Sequence, residues 1–136
     1  MGRRVRPILF LGVDDVIAIH EDTIEHEGGR AGVRDRGLLE SAVMMPRARF
    51  EGRYLHEGLP AMAAAYLFHI AMDHPFIDAN KRTALAAALV FLAANGIEED
   101  LGEEEVERVT LAVAAGTMGK DELTAWFLRR RDGAGR

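Results

Sequence analysis

The segment His74-Pro75-Phe76-Ile77-Asp78-Ala79-Asn80-Lys81-Arg82 gathers a base, a carboxylate, an amide and two cations within nine positions. Each residue type suits phosphate chemistry. An imidazole titrates near neutrality, so His74 can take a proton from an attacking hydroxyl. Asp78 offers a hard oxygen to Mg²⁺, an ion that takes one or two carboxylates and fills its shell with phosphate oxygens and water. Arg82 can grip a phosphate in two-pronged fashion, and Lys81 adds a compact charge. Lys81 is one of two lysines, the other being Lys120, in a chain whose cations are otherwise arginines. If a helix starts near Ala79, its first backbone N–H groups are unpaired donors at the positive end of a helix dipole, a ready anion site. Singly, each residue has a plainer reading: His74 a polar residue before a proline, Asp78 an N-cap, Lys81 and Arg82 a solvated first turn. Two cations in a helix's first turn are disfavoured without an anion, and that tilts the set towards a ligand. The chemistry it suits is phosphoryl or nucleotidyl transfer.

The elements that must hold this segment are helical almost throughout. Asp14 or Asp15 can cap a first helix that ends at Gly28-Gly29, and Asp35 a second, short one that stops before Pro46. Residues 47–58 lack a helical period and suit a loop or a short hairpin. Pro60 fits the first turn of a helix over 60–73, which Pro75 breaks. A helix starting at Ala79 or Asn80 and ending at Asn95-Gly96 follows. Amphipathic helices over 103–115 and 120–131 complete the chain. The two most apolar helices flank the segment 74–79 and should form a central hairpin. The expected fold class is all-α, a single domain over 1–136 of five or six helices, with a possible short β-hairpin and flexible basic ends at 1–7 and 132–136.

Composition sets bounds on function. With 136 residues, 49% hydrophobic and 29% charged, the chain can bury a core of its own. It has no cysteine, so thiolate chemistry and disulfides are excluded, in keeping with a cytoplasmic location. A net charge of −5 argues against direct nucleic acid binding. Its apolar stretches are shorter than the roughly 20 residues a membrane span needs, so no membrane partner is expected.

His74 to Arg82 resembles the signature of the Fic/Doc superfamily, HPFx(D/E)GN(G/K)R. Gly28-Gly29, Gly32-Val33-Arg34-Asp35, Gly37-Leu38-Leu39-Glu40-Ser41-Ala42, Thr83-Ala84-Leu85, Phe91-Leu92 and Asn95-Gly96 are similar to the death-on-curing (Doc) toxin subgroup. That resemblance implies a Fic-fold bundle in which His74 is the general base and Asp78 holds Mg²⁺. Ala79 and Asn80 would contribute to an anion hole, Lys81 and Arg82 would bind nucleotide phosphate, and Phe76 would anchor the loop. Adenylylating members have glycine where this chain has Ala79 and Lys81. In Doc-like members the lysine goes with a reversed nucleotide whose γ-phosphate faces the target. The resemblance thus implies a kinase-like toxin that uses ATP on a protein hydroxyl, a threonine of elongation factor Tu, and blocks translation. It also implies an antitoxin that restrains it by inserting a helix near the active site. The rivals are an AMP transferase of the same fold and a non-catalytic helical binding module.

Other segments carry weaker signals. Residues 47–58 fall where the family has a flap that docks an extended target segment, with Phe50, Arg53 and Tyr54 as its contacts. Thr23, Glu27 and Gly28 formally fit the (S/T)xxxE(G/N) motif of self-restrained Fic proteins, but Glu27-Gly28 also reads as a helix end, the preferred reading. His69 suits a hydrogen-bonded core position. His20 and His26 are six apart, not a helical metal pair. His56 is placed to touch a substrate from the flap. The acidic run 98–107 reads as a solvated face.

Overall fold

The computed structural model describes residues 7–98 and 102–134. Six helices fill it: α1 (Val13–Glu27), α2 (Arg36–Met44), α3 (Leu59–Asp73), α4 (Asn80–Ala94), α5 (Glu103–Ala114) and α6 (Lys120–Ala134). The only sheet among these residues is a hairpin of β1 (Arg49–Phe50) and β2 (Arg53–Tyr54), entered through a 3-10 turn at Met45–Arg47. The architecture is the all-α one expected.

α3 is the hub, packed against α2, α4, α5 and α6. Its residues from Met62 to Leu67 are all buried, as a helix that is apolar on every side must be. Ala63 and Ala64 of α3 and Ala84, Ala87 and Ala88 of α4 all lie in the core. Small side chains let the two helices pack closely, which makes the hairpin the centre of the core. Phe91 of α4 and Leu123, Trp126 and Phe127 of α6 are among the large side chains that complete the core.

Several ends differ from expectation. α1 starts two or three residues earlier, with Gly12 at the N-cap, because Asp15 caps from inside the helix: its carboxylate accepts the Gly12 N–H at 2.7 Å. Asp35 is the N-cap of α2, accepting from Leu38 N–H at 3.0 Å. α6 continues to Ala134, three residues past the expected end at 131, while 1–6 and 135–136 lie outside the described residues. Glu105 is more than a solvated residue, since the Trp126 indole N–H donates to it at 2.6 Å.

The segment before α1 is pinned to the hairpin's far end. Buried Tyr66 accepts the Leu11 N–H at 2.9 Å, and burial pushes the phenol up to about 12. Asn95 exchanges two hydrogen bonds with the Leu9 backbone, at 2.9 and 3.0 Å. Phe10 then stacks on Phe91 and meets Tyr54, tying the β-hairpin to the core.

Candidate active site

The motif loop leaves α3 and enters α4 through two left-handed residues, His74 (φ 48°) and Ala79 (φ 61°). Such a backbone costs a non-glycine residue roughly 1–2 kcal/mol, and it persists only where the surroundings over-determine it. Here those surroundings are visible. Asn80 folds back on Phe76, accepting its N–H at 2.9 Å and donating to its carbonyl at 3.0 Å. This closes the loop into a compact turn, and Phe76 itself is buried at 1% exposure.

A strap over residues 28–35 crosses the loop and holds nearly all of it. The Pro75 carbonyl accepts from Arg34 and Asp35 N–H at 2.8 and 3.1 Å, and Ile77 N–H donates to Gly32 at 2.9 Å. The Arg34 guanidinium caps α3, donating to the carbonyls of His74 (2.7 Å) and Asp73 (3.1 Å). Gly28 accepts from the Arg82 guanidinium at 3.1 Å, and Arg30 N–H donates to Asp78 at 3.1 Å. Gly29 must be glycine: at φ 115° a Cβ there would stand 2.8 Å from the Asp78 carboxylate and 3.2 Å from Arg82.

Asp78 does not cap α4. Its two oxygens accept the N–H groups of Arg30 and of Ala79, the latter at 2.8 Å, while Ala79 occupies the N-cap position. These two backbone bonds, with the Arg82 and Arg30 charges behind them, hold its pKa below the usual carboxylate range. It therefore presents a full negative charge to solvent at neutral pH. Among the described residues nothing accepts the N–H groups of Asn80, Lys81 and Arg82 in the first turn of α4. His74, Asp78, Asn80, Lys81 and Arg82 line one open cavity of ≈ 270 Å³. Lys81 and Arg82 also border a second, more apolar one of ≈ 520 Å³, walled by Leu85, Val106 and Leu111. All five polar residues that sequence singled out in the motif thus share one opening.

The donor set at that opening fits a nucleotide with Mg²⁺ in one specific way. Among the described residues no three His, Cys, Asp or Glu converge to hold a metal unaided. One exposed carboxylate beside free N–H donors and cations instead suits an ion whose other ligands are phosphate and water.

The remaining sequence candidates separate. Phe50 and Arg53 of the hairpin are exposed, whereas Tyr54 turns inward under the Arg49 guanidinium, 4.2 Å from its ring, and serves as an anchor. His56 does not face the loop: its Nε2 accepts from the Lys120 ammonium at 3.1 Å, as does that of His69 at 3.0 Å. Glu27 is the last residue of α1, and its carboxylate stands 3.9 Å from Arg82. That pair is long and largely solvated, worth well under about 1 kcal/mol. Thr23 bonds its own helix at Ile19. Sequence reasoning missed His20, which is buried behind the loop, its ring stacked on Phe76 with centroids 3.9 Å apart. Burial holds its pKa below the ordinary value. Its place on the same α1 face as Val16 and Thr23 was the available signal, because a polar ring on a buried face must find partners.

This combination of apolar helical hairpin, strapped loop and anion-ready helix start is that of a known class. Residues 10–92 match the model of the Fic/DOC family, and the chain belongs to that family. It is 35% identical over 121 residues to the protein kinase doc of Escherichia phage P1, covering 89% of this chain and 94% of that protein. It is 39% identical over 100 residues to the toxin Doc of Mycolicibacterium smegmatis, covering 72% and 77% respectively. No helix among the described residues is long and apolar enough to cross a membrane.

Proposed function

We propose that this chain is the toxin of a type II toxin–antitoxin pair, a kinase that moves the γ-phosphate of ATP to a protein hydroxyl in the cytoplasm. By family analogy the acceptor is a threonine of elongation factor Tu, and its modification blocks translation. The observation that carries the reading is the shared cavity: His74, ionised Asp78, Lys81, Arg82 and three free N–H donors open to one space. The name of the phage P1 relative supports phosphate as the group transferred.

His74 accepts the proton of the incoming hydroxyl, whose oxygen bonds to the γ-phosphorus as the bond to the bridging oxygen of ADP breaks. Lys81 and the first-turn N–H groups meet the charge on the phosphates, and Arg82 orients them. Asp78 would hold Mg²⁺, which when bound draws charge from the phosphate oxygens. The more apolar cavity beyond Arg82, ≈ 520 Å³, is where the base would lie, and by family analogy an antitoxin helix inserts near the same opening.

Intact mass after incubation with target and ATP tests the reaction: about 80 Da added marks phosphate, about 329 Da AMP. His74→Ala should abolish the gain while ATP still binds. A chain that binds ATP yet modifies nothing, with toxicity untouched by His74→Ala, returns the fold to a binding module.

A further inference from the structure

His20 takes no part in the chemistry above, yet it is 1% exposed and touches three separate pieces of the site. Its Nε2 is 3.3 Å from the Gly32 N–H, and its Nδ1 is 3.1 Å from the Thr83 hydroxyl. Its ring lies 10° from parallel to that of Phe76. A backbone N–H can only donate, so Nε2 must offer its lone pair. The single proton of a neutral ring then sits on Nδ1, directed at Thr83. Either a second proton or the other tautomer would set N–H against N–H and release Gly32.

Each contact leads to a residue that matters. Gly32 belongs to the strap whose Gly28 carbonyl holds Arg82 and whose Arg30 N–H holds Asp78. Phe76 is the loop's anchor, and Thr83 follows Arg82 in α4. Resting on the phosphotransferase reading, we infer that His20 is a positioning residue whose one neutral tautomer joins strap, loop and α4, fixing Asp78 and Arg82 before a nucleotide arrives. Displacement of such groups by about 1 Å is known to cost up to 10²-fold in rate.

The test compares His20→Phe, which keeps ring and volume but neither nitrogen, with His20→Gln, which restores an acceptor for Gly32. His20→Phe should hold its melting temperature near wild type and lose roughly 10- to 100-fold in kcat, with KM for the protein target nearly unchanged. His20→Gln should recover part of that loss. Nitrogen NMR of the wild-type imidazoles should show the Nδ1–H form of His20 at neutral pH, with a Gly32 amide that exchanges slowly and loses its protection in His20→Phe. Full kcat in His20→Phe, or an Nε2–H or doubly protonated His20, overturns the inference alone. Should His20→Phe fail to fold, Thr83→Val, which removes the acceptor of Nδ1–H, must show the same loss in kcat. A wild-type chain that transfers neither phosphate nor AMP sinks the phosphotransferase reading, and the inference with it.

Discussion

At the scale of single residues, the motif loop stores its strain at Ala79. An alanine at φ 61° is held there by the Asn80 clasp, by Asp78 and by the strap, at a cost that glycine would avoid. Ala79→Gly should therefore stabilise the fold by roughly 0.5–1 kcal/mol, once the extra freedom glycine gains in the unfolded chain is deducted. Urea unfolding at neutral pH reads this directly, and a lower midpoint would mean that the left-handed turn is unstrained. Asp78 behaves differently. Its folded pKa is depressed by the Arg30 and Ala79 N–H groups, so its share of stability is present above the ordinary carboxylate value and fades only as pH falls through the lowered one. An acid limb of activity near neutrality therefore belongs to some group other than Asp78.

At the scale of elements, what could be read from sequence was what local chemistry decides. Pro60, Pro75, Asp35 and Asn95-Gly96 are backbone instructions, and the helices obey them within a residue or two. The β-hairpin was only half legible. Its two-residue turn, Glu51-Gly52, has φ of 51° and 78°, the doubly left-handed form that closes a tight hairpin, but glutamate is an uncommon occupant of the first position. The strap was illegible for a deeper reason. Its bonds join residues 28–35 to 73–82, and no periodicity encodes a partner about 40 or more positions away. The hairpin also yields a prediction. Gly52 has open space around it, so Gly52→Val strains the turn by about 1–2 kcal/mol without a clash in the core. If Phe50 and Arg53 present the target, KM for the protein substrate should rise several-fold while ATP affinity changes little and the melting temperature falls only by the few degrees this strain accounts for. An unchanged KM would remove the hairpin from the docking surface.

At the scale of the molecule, α3, α6 and the segment just after the β-hairpin are joined by one cation, the Lys120 ammonium. The Lys120 ammonium donates to the Nε2 atoms of His56 and His69 and lies 5.8 Å from the Phe68 ring centre. Burial, and then the Lys120 charge, lower both imidazoles, His69 to about 4 against an ordinary 6.5. Between those two values the unfolded chain binds a proton that folded His69 refuses. Stability is then complete above about pH 6.5 and declines as pH falls towards about 4, by on the order of 1–2 kcal/mol after allowing for partial exposure. Lys120→Met keeps the aliphatic stem but removes both the donor and the charge. The variant should be weaker than wild type at pH 7 by about 1 kcal/mol, because two half-buried acceptors lose their partner. Its stability should also fall less steeply on acidification, the burial contribution alone remaining. Urea midpoints at several pH values between about 7 and 4.5 measure both effects at once. Parallel pH curves for the two proteins would show that Lys120 does not set the protonation of these histidines, and that burial alone holds it.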